Sequence, residues 1–285
     1  MAIGKRLKVA KLMSDYRFTE LGKESSYSDS YDSSLLCPIA RAVARQSDDL
    51  NKLPFIGVDL WTGYELSWLN LDGLPQIAIV EFIIACDSQF IVESKSFKLY
   101  LNSFIQTKFS SMEAVHNLLV KDLSAATGTV VEVLVYEISE YQGIQPISEP
   151  QGLCIDQQSV LIDAYSPDSN LLKASSDKVV DETLYSHLLK TNCPVTDQPD
   201  WASVYIFYKG PKIDREGLLQ YIVSYRQHQD FHEQCVEQIF LDIISACCPQ
   251  ELSVYARYLR RGGLDINPFR STHLNRPPLF RQVRQ

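Results

Sequence analysis

Glycine and proline are scarce, 12 and 13 among 285 residues, which excludes collagen-like and low-complexity chains. Long apolar runs are missing too. The longest, Ile77 to Cys86, already contains Glu81, whereas a membrane helix needs roughly 20 apolar residues. Positive charge is in deficit: 27 Lys and Arg against 35 Asp and Glu leave a net −8. That excludes a general binder of duplex nucleic acid or anionic membrane, because both need a basic face. No apolar segment follows the charged start Met1–Lys8, as a secretory leader would require. Seven cysteines without regular spacing fit a reducing cytoplasm better than a disulfide framework. There is no G-x-G-x-x-G and no G-x-x-x-x-G-K-[ST], which disfavours Rossmann and P-loop sites. No C-x-x-C pair exists, and adjacent Cys247 and Cys248 do not suit tetrahedral zinc.

What is present is an ordinary globular composition, 45% hydrophobic, enough to bury a substantial core. Its charge is uneven: from Arg257 onward seven arginines face one acidic residue, Asp265. A polar, serine-rich peripheral segment is expected over 1–50. Apolar alternation at 54–60, 63–70 and 76–85 predicts antiparallel strands, and Phe97, Leu101 and Phe104 have helical spacing. Ser110 to Glu113 reads as a capping box opening a helix that stops before Gly128, with a strand from Thr129 to Ile138. The second half repeats this order. Ala202–Tyr208 is a strand, Asp214 caps a helix, Asp230 opens another, and Leu252–Leu259 is a strand. The fold class is therefore α+β, read as a duplicated module with little residue identity between halves. The expected division is a first module at 51–140, a connection at 141–200 and a second module with basic tail at 201–285.

Four short stretches could carry chemistry. Cys193 lies in the proline-punctuated run Lys190–Asp200, where a loop thiol can be exposed, with Asp197 and Asp200 near enough to act on protons. Val92-Glu93-Ser94-Lys95-Ser96-Phe97-Lys98 stands where a strand pattern becomes helix; its lysines suit phosphate or a plain solvated helix start. His232-Glu233 pairs a proton carrier with a carboxylate able to accept two N–H donors from a guanine-type edge, or simply completes a cap after Asp230. Arg260-Arg261-Gly262-Gly263 offers guanidinium forks on an unhindered turn, or an ordinary β-turn. His228 and His232, four apart, could share a metal, though Asp230 between them interrupts the helix, so two surface or capping histidines are the better reading and no metal is expected.

Together these stretches resemble one family. Glu93–Phe104, Thr191–Trp201, Phe231–Glu233 and Arg260–Pro268 look like the signature blocks of the NADPH-dependent 7-cyano-7-deazaguanine reductases, in their long two-module form. The resemblance spans about Pro54 to Arg270. It implies tandem tunnelling-fold modules, antiparallel sheets each backed by two helices, and reduction of a nitrile to an aminomethyl group on the way to the queuosine of tRNA. It further implies Cys193 as nucleophile forming a covalent thioimidate and Asp200 as proton donor. Val92, Glu93, Ser94, His232 and Glu233 would bind the 7-deazaguanine substrate, and Ser94, Lys95, Arg261 and Gly262 the NADPH. A cytoplasmic homodimer with no direct nucleic-acid or membrane contact is expected. A thiol nitrilase using Cys193, Glu93 and Lys95, and a non-catalytic purine- or pterin-binding protein of the same fold, are the rival readings.

Overall fold

The computed structural model describes residues 28–45, 53–148, 150–194 and 196–285. In chain order its strands and α-helices are β1 (Pro38–Ala40), α1 (Arg41–Arg45), β2 (Ile56–Leu69), β3 (Pro75–Ala85), β4 (Phe90–Val92), α2 (Ser94–Asn102), α3 (Met112–Thr127), β5 (Glu132–Tyr136), α4 (Ile138–Ile144), β6 (Leu153–Cys154), β7 (Ala174–Asn192), β8 (Pro199–Ile213), α5 (Arg215–Ser224), α6 (His232–Cys247), β9 (Glu251–Tyr258) and β10 (Leu264–Ser271). The fold is α+β with predominantly antiparallel pairing. The chain divides into two compact units. Unit 1 holds the described part of Met1–Lys52 with Trp61–Ile144 and Arg261–Leu264, and unit 2 holds Leu53–Leu60, Gln145–Arg260 and Asp265–Gln285.

In unit 1 the strand order is β5-β3-β2, and β5 pairs antiparallel with β3. The stretches expected as two strands, 54–60 and 63–70, are one 14-residue strand. Gly63 does not break it: a Cβ there would sit 3.0 Å from Val80 Cγ1, so glycine admits close packing rather than a turn. Helix α3 is capped by Ser111 rather than Ser110, its side chain accepting from Ala114 N, and ends on left-handed Gly128. Phe82, Phe97, Tyr100, Phe104 and Leu119 are fully buried among these elements.

In unit 2 the order is β10-β9-β8-β7-β6. Residues 141–200, expected as a connection, contain the 19-residue strand β7, which pairs along its length with β8. Helices α5 and α6 bury Leu218, Ile222, Val236, Ile239, Phe240 and Ile243. Two arginines of the basic C-terminal stretch are interior. Arg270 is fully buried, 2.8 Å from both Asp59 and Glu237, and Arg257 donates to Tyr255 Oη at 2.8 Å. Buried charge persists only when paired, so these two cations belong to the core and not to an anion-binding surface.

The helix pairs of the two units share little residue identity, as expected, but correspond at a few key positions. Tyr100 and Tyr221 are each the seventh residue of the first helix; Asp122 and Asp242 are each the eleventh residue of a 16-residue second helix. Each tyrosine donates to its aspartate, at 2.8 and 2.6 Å. Ser103 and Ser224 each donate to the tyrosine carbonyl three residues back. Acidic caps, Glu93 and Asp214, open the first helices, and left-handed residues, Gly128 and Cys248, close the second. The match reaches the serine-rich segment: Asp32-Ser33-Ser34-Leu35-Leu36 and Asp168-Ser169-Asn170-Leu171-Leu172 form the same aspartate-capped 3-10 turn. Beside it, Tyr31 Oη donates to Asp122 at 2.6 Å, so Ser33 and Ser34 belong to a turn docked on unit 1. The expected serines at 25 and 26 lie outside the described residues.

Candidate active site

The hairpin β7–β8 presents the thiol. Thr191 stands opposite Asp200 in the ladder, and Cys193 N donates to Gln198 O at 2.9 Å just beyond the last pair, Asn192 and Pro199. Because side chains alternate along strands, Thr191, Cys193 and Asp200 share one face of the hairpin. Ala202 and its ladder partner Tyr258 continue that face on β8 and β9. Cys193 is not exposed as its proline-rich context suggested: it is 6% accessible, and Asp200 is 4% accessible. The strand ends and their ladder bonds draw the loop in against the sheet.

The first turn of α6 closes over this face. Its N-cap is Phe231, with no side-chain cap, while the carboxylate of Asp230 accepts from Phe231 N and lies 3.6 Å from His228 Nε2. The expected cap at Asp230 is therefore displaced by one residue; Glu233, in the first turn, is buried at 3% accessibility. His232 stacks flat on Tyr258, ring centroids 3.7 Å apart and planes 1° from parallel. Its Nε2 reaches Asp200 Oδ2 at 3.3 Å, and its Nδ1 is buried without a hydrogen-bond partner among the described residues. With Nε2–H given to Asp200, Nδ1 remains an acceptor. His228 and His232 do not share a helix face, and the described residues hold no group of three or more His, Cys, Asp or Glu suited to a metal.

Neighbouring titratable groups are held neutral. Burial drives the Tyr258 hydroxyl well above its ordinary range, as do the charges of Cys235 and Asp200, with the Thr191 hydroxyl opposing. Burial likewise holds Cys235 well above a normal thiol, reinforced by Asp230 and Asp200. Cys247 is pushed up to about 11 by burial and Cys154 is also raised by it. Burial thus favours the protonated form of all three thiols, the less nucleophilic form.

Unit 1 carries a different set. Glu93 is fully buried and caps α2, accepting from Lys95 N at 2.6 Å and Ser96 N at 2.8 Å. Burial raises its carboxyl above the usual range, opposed by those two N–H bonds. Val92 ends β4 immediately before it, and Ser94 Oγ lies 3.5 Å from Glu93 Oε1. Lys95 and Lys98 are one turn apart on α2, hence on one face. Gly262 has φ +58, and a Cβ there would fall 2.1 Å from Lys98 Nζ. The bare turn and the ammonium occupy one place, and Arg261, next in the chain, closes the turn through its N–H to Leu264 O at 2.9 Å. Lys98, with Lys95 one turn before it, and the bare Gly262 turn could hold an anionic phosphate.

Over 268 residues, 93% of this chain and 97% of the relative, 55% of positions are identical to the NADPH-dependent 7-cyano-7-deazaguanine reductase of Paraburkholderia phytofirmans. The chain belongs to the 7-cyano-7-deazaguanine reductase family. The counterpart from Saccharophagus degradans is 54% identical over 93% of this reductase and 98% of that protein. Residues 27–135 match the family described as nitrile reductase, 7-cyano-7-deazaguanine-reductase N-term, and residues 199–277 match QueF-like protein. Among solved structures, an archaeosine synthase QueF-Like in the apo form covers 36% of the reductase and 99% of its own chain at 18% identity. Its TM-score of 0.30 carries no argument.

Tyr258 reads in the sequence as one more position of an alternating strand; its place against His232 follows from the fold, where it pairs with Ala202 across the ladder. Lys98 is one of two lysines in its stretch, and Gly262, far away in sequence, singles it out.

Proposed function

We infer that this protein reduces the nitrile of 7-cyano-7-deazaguanine to the aminomethyl group with NADPH, serving queuosine biosynthesis. The observation that carries the chemistry is the hairpin face on which Cys193 and Asp200 sit together, with His232 Nε2 on the Asp200 carboxylate. Cys193 is the nucleophile: its thiolate adds to the nitrile carbon, forming the C–S bond of a thioimidate, while Asp200 delivers a proton to the nitrogen. Covalent addition turns a weak acceptor into an imine-like carbon, dividing one hard step into easier ones. Two molecules of NADPH, bound in turn, would each supply one hydride to that carbon, the second accompanied by a proton to the imine nitrogen. Between the two hydrides the tetrahedral adduct collapses, Cys193 leaves as thiolate, and an imine remains. His232 orients Asp200 and shares its proton. A buried thiol and acid keep water from the imine, which would otherwise hydrolyse.

Glu233 accepts the N–H donors of the deazaguanine edge, with His232 beside it; Val92, Glu93 and Ser94 are the other residues assigned to substrate by the family pattern. Ser94, Lys95, Arg261 and Gly262 hold NADPH, and Lys98 joins them because its ammonium lies over the Gly262 turn. The matched helix pairs support tandem tunnelling-fold modules. Strand β5 ends its sheet, with β3 as its neighbour, and an open edge supports assembly as a homodimer. No helix among the described residues is long and apolar enough to cross a membrane. Together with the unpaired thiols and net acidic charge, this supports a cytoplasmic enzyme acting on a small molecule without touching nucleic acid. A nitrilase or a non-catalytic purine binder needs no NADPH. Substrate-dependent loss of NADPH absorbance separates the reductase from both.

The deciding experiment is intact-protein mass spectrometry after mixing with the cyano substrate in the absence of NADPH. One substrate mass added to Cys193 is expected. An adduct on any other thiol, Cys235 included, overturns the assignment.

A further inference from the structure

The loop that carries Cys193 is tied to the segment entering α6 by four bonds. Asn192 N donates to His228 O at 2.8 Å and Asp230 N to Asn192 O at 3.3 Å, a short parallel bridge centred on Asn192 and Gln229. Lys190 Nζ donates to Arg226 O at 2.8 Å, and also to Asn192 Oδ1. Gln229 Nε2 donates to Asp197 Oδ1 at 3.0 Å. Asp197 is one of two non-glycine residues with positive φ among the described residues, at +58. Its N–H returns to Cys193 O at 3.1 Å, and the next residue, Gln198, accepts from Cys193 N. Cys193 is thus held through both its backbone polar groups by the turn that Asp197 completes. A side-chain-bearing residue adopts left-handed backbone reluctantly. Aspartate tolerates it, and an external donor on the carboxylate favours it further.

We propose that Gln229 is a positioning residue for the nucleophile: by bonding the Asp197 carboxylate it stabilises the left-handed turn that fixes the Cys193 backbone. The strap 226–230 then links thiol placement to the start of α6, where His232 and Glu233 stand. This rests on Cys193 being the nucleophile. It makes no use of the thiol's ionisation, only of its location, and small misplacements of a reacting group are costly.

The test is a cycle between Gln229→Ala and Asp197→Gly, read as the rate of covalent adduct formation with the cyano substrate without NADPH. Gln229→Ala alone is expected to slow adduct formation about tenfold, with the melting temperature and the KM for NADPH unchanged. In the Asp197→Gly background, where glycine takes the left-handed turn unaided, Gln229→Ala should change the rate less than about twofold. Gln229→Glu, which cannot donate to the carboxylate, should behave as Gln229→Ala. Wild-type rates in Gln229→Ala, or an equal loss in both backgrounds, overturn the positioning role. Cys193→Ala run in parallel keeps the two failures apart: an adduct that survives in that variant defeats the nucleophile assignment and the positioning role with it, whereas loss of the adduct there together with wild-type rates in Gln229→Ala defeats the positioning role alone.

Discussion

The two helix pairs, α2–α3 in unit 1 and α5–α6 in unit 2, share a tyrosine–aspartate bond, a serine lock, an acidic cap and a left-handed exit, yet their surroundings serve different chemistry. The hairpin of unit 2 turns through Cys193 and Asp197. That of unit 1 turns through Asn70–Leu74, where Asn70 Oδ1 accepts from Asp72 N and Leu74 N and Gly73 has φ +88, with no thiol. The glutamate at the second position of the second helix is buried in unit 2, Glu233, and exposed in unit 1, Glu113. In unit 1 the start of the first helix instead carries Lys95 and Lys98, the latter against the bare Gly262 turn. The shared frame is a scaffold, and function resides in loops and first turns that can diverge without disturbing it.

That division can be broken experimentally. Cys193→Ala should abolish NADPH oxidation by at least about a thousandfold while leaving circular dichroism and melting unchanged; substantial residual turnover would contradict the assignment to the unit 2 hairpin. Asp200→Asn should lower kcat by about a hundredfold, the usual worth of a proton donor, with substrate affinity retained in equilibrium binding. Lys98→Ala should raise the KM for NADPH about tenfold, the loss of one charge-assisted phosphate contact. Adduct formation without NADPH should proceed normally, and a slowed adduct would remove the separation of roles between the units.

The frame itself can be compared through stability. Tyr100→Phe and Tyr221→Phe each strip a bond from a carboxylate and should each cost about 1–3 kcal/mol in urea unfolding. Tyr221→Phe is expected to cost more, because its hydroxyl also bonds that of Tyr225 at 2.9 Å, whereas Asp122 keeps Tyr31. The smallest effect concerns pH. Burial raises the Glu93 carboxyl above 4.5, so the folded state holds a proton that the unfolded chain has released. Stability contributed by Glu93 is therefore present below about pH 4.5 and declines as pH rises through the folded value. Unfolding followed from pH 4 upward in Glu93→Gln, compared with the wild type, should show that slope reduced, on the order of 1 kcal/mol or less.

Local rules made the helices legible, the cap of α3 to within one residue, since Asp214 and Gly128 act through neighbours a few residues away. They failed where long-range packing decided. Gly63 looks like a break until Val80 is placed against it, and Asp230 looks like a cap until His228 engages it. Cys193 could be singled out from its motif, but its burial could not, because ladder bonds between distant stretches create it. The repeated order of elements was legible, but the residues the two helix pairs share were not: they are few, and only the common register of the helices aligns them.

Unit 1 takes in Arg261–Leu264 from near the other end of the chain, with Tyr64 N donating to Gly263 O at 2.8 Å. Residues 61–144 therefore leave a ribosome well before this short piece does. Contacts so distant in sequence close slowly, after their loop entropy has been spent. Although domains commonly fold in order as they emerge, unit 1 completes itself only after residue 264 has been made, about 120 residues after the rest of it. The approach of Lys98 to the bare Gly262 turn is therefore absent from every nascent chain that stops short of residue 262.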